Sequence, residues 1–354
     1  MDVTLSQLFR EYELFHMVKN KTKDKARKAF SHLTAFAGDG AARDLSPAAV
    51  NRWQAWLATA APNHQTKRPG LAPYTVKTTV GAAAAVFGWA MAQRGVDGRC
   101  EYGLVMNPFA EAQPVRVDAK AVRYYSEDEA RDILAAASEL RWKDPTRTLA
   151  WYAAIQMALD AGLRKNEITN LRWEDVDLDA GRIGIRHRED RFGVQWAWES
   201  KGRSEDDVPM GDALWASMER LRFLRPWRYP FIGRARYEHL AAGMPRPGRE
   251  ALWPLPESIR DNPVDNWRRD FQRILARANR NRQRAGLPEI ADGDFHQLRK
   301  TYGTRLAMAG LPEKFVQQAC RHASPETTRK YYIGMDRRQC DQAVRATINK
   351  LGGL

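Results

Sequence analysis

Apolar positions in the first 110 residues recur at helical spacing. Residues 27–38 place Phe30, Leu33 and Phe36 on one stripe. Ser46 followed by Pro47 is an N-cap with proline at the first helical position, after which Val50, Trp53 and Leu57 repeat every three or four residues. Residues 75–94 predict a longer helix with Val76, Val80, Ala84, Phe87 and Met91 inward, closed by Gly95. The pattern breaks at Asn107-Pro108 and stays poor in large apolar residues to Arg123. It resumes at Ser126 and Glu129, a capping box that starts a helix through Leu134. Residues 146–160 predict another helix, ended by Gly162. Ile183 and Ile185 alternate, as do Val194, Trp196 and Trp198, which predicts a small antiparallel sheet completed near Val208-Pro209. Residues 267–284 form a helical pattern with Trp267, Phe271, Ile274 and Ala278 inward. Arg268, Arg269, Arg273, Arg277, Arg280, Arg282 and Arg284 are assigned to its other face. Residues 229–262 read as a loop-rich insertion with Pro, Gly and Arg, and no internal repeat is visible. The expected class is mainly α with a small antiparallel β-sheet.

A chain of 354 residues fits about two domains. Hydrophobic residues at 44% exclude a disordered chain. The net charge is +14, and both halves share it: residues 1–115 hold 14 basic and 9 acidic side chains. Such an excess makes a polyanion, and nucleic acid first, the partner to consider. Cys100, Cys320 and Cys340 are too scattered for a disulfide framework or a zinc cluster and fit a reducing cytoplasm. The N-terminus carries acids where a signal peptide is basic and then apolar, and no run approaches the ~18 apolar residues of a membrane span. The expected location is therefore the cytoplasm, at a bacterial nucleoid or in the host of a phage.

Four segments carry chemistry by their order and spacing. They are Ala161-Gly-Leu-Arg-Lys-Asn-Glu-Ile168, Ser200-Lys-Gly-Arg203 leading to Val208-Pro209, Phe295-His-Gln-Leu-Arg299, and Arg321-His322 followed by Tyr331-Tyr332. Together they resemble the tyrosine recombinase (phage integrase) family. The resemblance covers most of the chain. It implies a helical core-binding domain over 1–112, a linker over 113–123, a mixed α+β catalytic domain over 124–340 and a protomer-exchanging tail over 341–354.

Carried over by position, the resemblance makes Arg164 and Arg299 the catalytic arginines and Tyr331, nine residues after His322, the nucleophile. His296 and His322 match the two histidine positions, Lys201 the lysine, and Glu167 the acid that supports the Arg164 turn. The chemistry accounts for these types. Breaking a phosphodiester concentrates negative charge on non-bridging oxygens, and two guanidiniums clamp them with fixed forked geometry. That arrangement needs no metal or other cofactor. A phenol with a pKa near ~10 is a poor nucleophile without a base, for which His296 is the candidate. His322 would donate to the phosphate, and the Lys201 ammonium would protonate the leaving 5′ oxygen. Lys165 and Arg203 are rival cations for that last step. Taken singly each residue has a plain reading as packing or surface; jointly, in this order, they do not.

The sequence departs from the family where Cys320-Arg321 replaces the usual Leu-Gly. That either tilts His322 or adds a charge to the phosphate pocket. The expected partner is double-stranded DNA carrying a recombination site, with four protomers on two sites. Lys19, Lys21, Lys23, Lys25 and Lys28 would neutralise phosphates, with Lys77, Arg268, Arg269, Arg273 and Arg277 as further DNA contacts. The arm-binding domain of some phage integrases is expected to be absent. Two other readings compete: a type IB topoisomerase-like enzyme that relaxes supercoils, and an architectural DNA-binding protein of the same fold that does not cleave.

Overall fold

The computed structural model describes residues 3–18, 20–63, 66–117, 123–187, 205–241, 264, 266–333 and 345. The chain divides into two compact units, Met1–Lys120 and Ala121–Leu354.

The first unit is built on helices α1 (Leu5–Phe15), α2 (Asn20–Ala37), α3 (Pro47–Thr59) and α4 (Pro73–Ala92). Thr4 opens α1 with a capping box to Gln7, and Ser46 caps α3 through the Ala49 amide. Val50, Trp53 and Leu57 are fully buried, as their spacing predicts. Phe30 stacks on Phe87 between α2 and α4, and Tyr12 of α1 meets Trp89 of α4 edge-on. Four details differ from the sequence reading. Helix α2 starts at Asn20, before its first apolar residue, so the polar turn holding Lys23 and Lys25 is helical. Helix α4 turns Ala83, Val86, Phe87 and Ala90 inward, with Ala84 half-buried. It ends at Gln93 in an extended conformation instead of at Gly95. Gln113, placed at the start of the linker, is tied to α3: its amide donates to Asn51 Oδ1 at 2.8 Å, and its carbonyl accepts from Gln54 at 3.1 Å.

The second unit begins with α5 (Glu127–Glu139), where the Ser126 and Glu129 side chains each accept the other's backbone amide. Helix α6 (Thr146–Asp160) is buried continuously from Ala153 to Leu159 and packs against α5, α8 and α11. A helix apolar all round can only sit at the centre of a core. After the short α7 (Lys165–Thr169) come strands β1 (Val176–Asp177), β2 (Arg182–Ile185) and β3 (Asp206–Pro209), antiparallel in the order β1-β2-β3. Ile183 pairs with Val176 on one side and Val208 on the other. The alternating segment Val194–Trp198 lies outside the described residues. Strand β1 has two residues, too few to show a period. Then follow α8 (Asp212–Leu224), α9 (Arg234–Ala241), α10 (Trp267–Arg284), α11 (His296–Met308), α12 (Glu313–Ala319) and α13 (Pro325–Ile333). The insertion expected to be loop thus opens with a helix, α9.

Helix α10 buries Trp267, Phe271, Ile274 and Ala278, and its aromatics close a cluster with Trp151 and Phe295. Arg282 does not belong to the solvent face. It continues the inward stripe four residues after Ala278, is buried, and ends on Asp132 and the Pro288 carbonyl. Among the described residues no helix is long and apolar enough to cross a membrane.

Candidate active site

The end of α6 sets the first wall of the site. Gly162 adopts φ +62, which lets the chain turn sharply and allows the Tyr302 ring to close on it. A Cβ at 162 would lie 2.4 Å from Tyr302 Cδ1. Two residues on, Arg164 occupies the N-cap of α7. Glu167 accepts from the Arg164 amide and from its Nη1, both at 2.7 Å, so one buried carboxylate fixes backbone and guanidinium together.

Arg299 projects from the first turn of α11 and is 1% exposed. Its Nη1 donates to the Gly162 carbonyl and its Nη2 to the Cys320 carbonyl. The Arg164 Nη2 donates to the next carbonyl, that of Arg321, at 3.1 Å. The turn between α12 and α13 therefore holds both arginines by its main chain. Burial, then the neighbouring Arg164 and Arg321, lower the Arg299 pKa to about 10, so it stays cationic at neutral pH. Burial alone would raise the Glu167 carboxyl, but Arg321, Arg164 and Arg299 outweigh it and hold its pKa below the usual value.

His296 is the first residue of α11, and its ring keeps access to solvent. The protein packed round it, then the cations of Arg299 and Lys300, lower its pKa to about 4. His322 is half-buried and its pKa is likewise lowered to about 4, by burial and then by Arg299, Arg164, His296 and Arg321. Both imidazoles are neutral at pH 7. His322 Nδ1 lies 2.9 Å from the fully buried Thr328 hydroxyl of α13, and its amide donates to the Gln317 carbonyl. Tyr331 and Tyr332 belong to the last turn of that helix.

Arg164, Glu167, Arg299, His296 and His322 thus meet in one pocket. Lys201 and Lys19 lie outside the described residues, as do the side chains of Lys21 and Tyr331. Lys25, Lys28, Lys77, Arg268 and Arg269 are exposed, while Lys23 donates to the Glu13 carbonyl at 2.6 Å. Arg273 lies over Trp142, in the loop after α5, at 4.6 Å, and Arg277 pairs with Glu139 of α5 at 2.8 Å. The sequence reading passed over Thr328 and the carbonyls of Gly162 and Cys320. A threonine six residues after His322 is the signal that the sequence offers; main-chain carbonyls leave none.

Comparison with known proteins agrees with this geometry. A tyrosine recombinase XerC-like protein of Caldanaerobacter subterraneus subsp. tengcongensis is 24% identical over 233 residues, 65% of this chain and 54% of that protein. The tyrosine recombinase XerC of Staphylococcus carnosus is 21% identical over 64% of this chain and 62% of its own. The chain therefore spans little more than half the length of these curated relatives. Among solved structures, the Tn1549 transposon integrase in complex with transposon right end DNA superposes with a TM-score of 0.68 at 19% identity, covering 99% of this chain and 100% of that one. A lambda integrase tetramer bound to a Holliday junction gives 0.58 at 16%, covering 93% and 77%. At these identities the structures establish the shared fold. The profile of the phage integrase family matches residues 123–338, well over half of the chain and the whole of the pocket, and the chain belongs to that family.

Proposed function

We propose that this chain is a site-specific DNA recombinase that cleaves and rejoins duplex DNA through a 3′-phosphotyrosine. The observation that carries the reading is the pocket in which Arg164 and Arg299 are held by adjacent carbonyls beside two neutral histidines, with the Tyr331 helix leading out of it. The Tyr331 oxygen attacks the scissile phosphorus, its proton passes to neutral His296, and the bond to the 5′ oxygen breaks as Lys201 protonates that oxygen. Arg164 and Arg299 clamp the non-bridging oxygens, supplying the positive charge that a divalent ion supplies in other phosphoryl-transfer sites. A Thr328 hydroxyl donating to Nδ1 leaves His322 with its hydrogen on Nε2, ready to donate to the phosphate. The phosphotyrosine conserves the energy of the broken bond, so rejoining needs no ATP.

Residues 1–112 serve in this reading as the core-binding domain and 124–340 as the catalytic domain, joined through 113–123. Duplex DNA is the substrate, two sites are bridged by four protomers, and 341–354 docks on a neighbour. The enzyme works in the cytoplasm. The test is a nicked suicide duplex built on the sequence this protein selects from a randomised pool. A covalent protein–DNA adduct is expected, and strand exchange between two such sites. Binding without any adduct would leave an architectural protein, and relaxation without exchange a topoisomerase.

A further inference from the structure

The turn between α12 and α13 spends its least economical residue on a buried position. Arg321 sits at φ +50, in the left-handed region that glycine occupies without steric cost. Its side chain is 6% exposed. Nη2 donates to Glu167 Oε2 at 2.8 Å and to the Gly162 carbonyl at 3.2 Å, while Nε and Nη1 are buried without a hydrogen-bond partner among the described residues. A strained backbone and two unpaired donors on a buried cation are costs that packing alone does not explain.

The partners of Arg321 give the reason. Glu167 is the acid that holds Arg164, and the Gly162 carbonyl is one of the two that hold Arg299. Arg164 and Arg321 therefore end on one carboxylate with Arg299 close by, and the cluster carries a net charge of +2. Without Arg321 it would carry +1, and Glu167 would be left to neutralise Arg164. A phosphodiester carries one negative charge. When a tyrosinate oxygen bonds to the phosphorus and before the bond to the 5′ oxygen breaks, the five-coordinate species carries two. A cluster at +2 therefore attracts the five-coordinate dianion more strongly than a cluster at +1 would, and it does so beside His296, which becomes an imidazolium on taking the phenol proton.

We propose that Arg321 is a positioning residue for strand cleavage: it shares Glu167 with Arg164 and Gly162 with Arg299, and so leaves the clamp with the double positive charge that five-coordinate phosphorus requires. The proposal rests on the recombinase reading above. Its effect falls on the cleavage step and not on DNA affinity.

The experiment uses the full chain and the selected suicide duplex, with an ordinary phosphodiester or a methylphosphonate at the scissile position. The methyl group removes one non-bridging oxygen, and with it one negative charge from the five-coordinate species. Arg321→Gln should slow single-turnover adduct formation on the phosphodiester by about 10–100-fold, with the DNA dissociation constant within about threefold of wild type. On the methylphosphonate the same variant should fall short of wild type by less than about threefold. Arg321→Lys, which keeps the charge, should recover most of the phosphodiester rate. Arg321→Met, an apolar side chain of similar length, carries the same comparison if the glutamine variant is unstable, and the ratio of the two rates does not depend on the folded fraction. In the DNA-free protein, Arg321→Gln should raise the His322 imidazole pKa seen by NMR, since Arg299, Arg164 and His296 would remain as the other groups facing it. Equal losses on both substrates, or a lysine variant as slow as the glutamine one, would overturn the proposal. A wild-type protein that forms no adduct on either duplex removes the recombinase reading instead, and the His322 titration then decides whether Arg321 charges the pocket.

Discussion

Arg164 and Arg321 exchange two kinds of contact across the pocket. The Arg164 Nη2 donates to the Arg321 carbonyl at 3.1 Å, and both guanidiniums end on Glu167. Main chain and side chain of one residue therefore act on the same arginine, and Glu167 joins the two effects.

Glu167→Gln should destabilise the protein by roughly 3–5 kcal/mol at neutral pH, because it strips the counter-ion from a buried cationic cluster. The folded carboxyl has a lowered pKa, so its contribution is fully present above the unfolded value near ~4.3 and is lost as pH falls through the folded one. Urea denaturation from pH 7 down to pH 3 should show wild-type stability falling through this window. The variant should lack that component. Parallel pH profiles for the two proteins would refute the assignment.

Gly162→Ala should cost about 1–2 kcal/mol for the left-handed backbone alone, and more for the overlap with Tyr302, whose Cδ1 would lie 2.4 Å from the new methyl group. Relief requires Tyr302 or the Gly162 carbonyl to move, and that carbonyl holds Arg299. Loss of adduct formation should therefore exceed what the unfolded fraction explains. Tyr302→Ala in the same background should restore part of it. If the double variant is as inactive as the single one, the overlap is not the cause.

How much of this was legible beforehand follows from what each position has to be. Long helices with an apolar stripe, α6 and α10, are visible because burial dictates residue type every third or fourth position. Arg282 lies four residues beyond Ala278, in phase with the buried stripe, but its charge points to the solvent face; Asp132 explains why an arginine can stand inside. The pocket arginines and histidines are legible because the phosphate chemistry proposed for them restricts their types. Gly162 and Cys320 act through carbonyls that any residue would present, so sequence carries no trace of that role. Arg321 was visible as a departure, and its partnership with Glu167 emerges only when α7 meets the α12–α13 turn.

Lys201→Ala should slow cleavage of ordinary DNA by roughly 10²–10⁴-fold, the usual contribution of general acid catalysis. A duplex with sulfur at the 5′ leaving position needs little protonation and should restore the rate. A sulfur substrate cleaved as slowly as the oxygen one would transfer the role to another cation, with Lys165 and Arg203 next to be replaced.

Tyr331→Phe should abolish the adduct and leave DNA binding within about twofold, since a single hydroxyl is lost, while Tyr332→Phe should still cleave. Adjacent residues on a helix point about 100° apart, so one phenol of the pair can address the phosphorus. Peptide mapping of the trapped adduct identifies which. Phosphotyrosine at 332 would shift the assignment by one residue.

Thr328→Val removes a fully buried hydroxyl with little change of shape. The His322 Nδ1 then faces a methyl group in place of a hydroxyl at 2.9 Å, and the ring loses the contact that, with the hydroxyl donating, holds its hydrogen on Nε2. Losing one such hydrogen bond is worth about 1 kcal/mol, so adduct formation should slow by roughly fivefold. Because His322 is neutral near pH 7, its pKa being lowered to about 4, the change is one of tautomer and not of charge. Nitrogen-15 NMR of the imidazole should show the hydrogen on Nε2 in the wild type and divided between the two nitrogens in the variant. The rate deficit should then stay constant from pH 6 to pH 8. A deficit that varies over that range would mean that the threonine governs protonation, and an unchanged tautomer together with an unchanged rate would remove Thr328 from the mechanism.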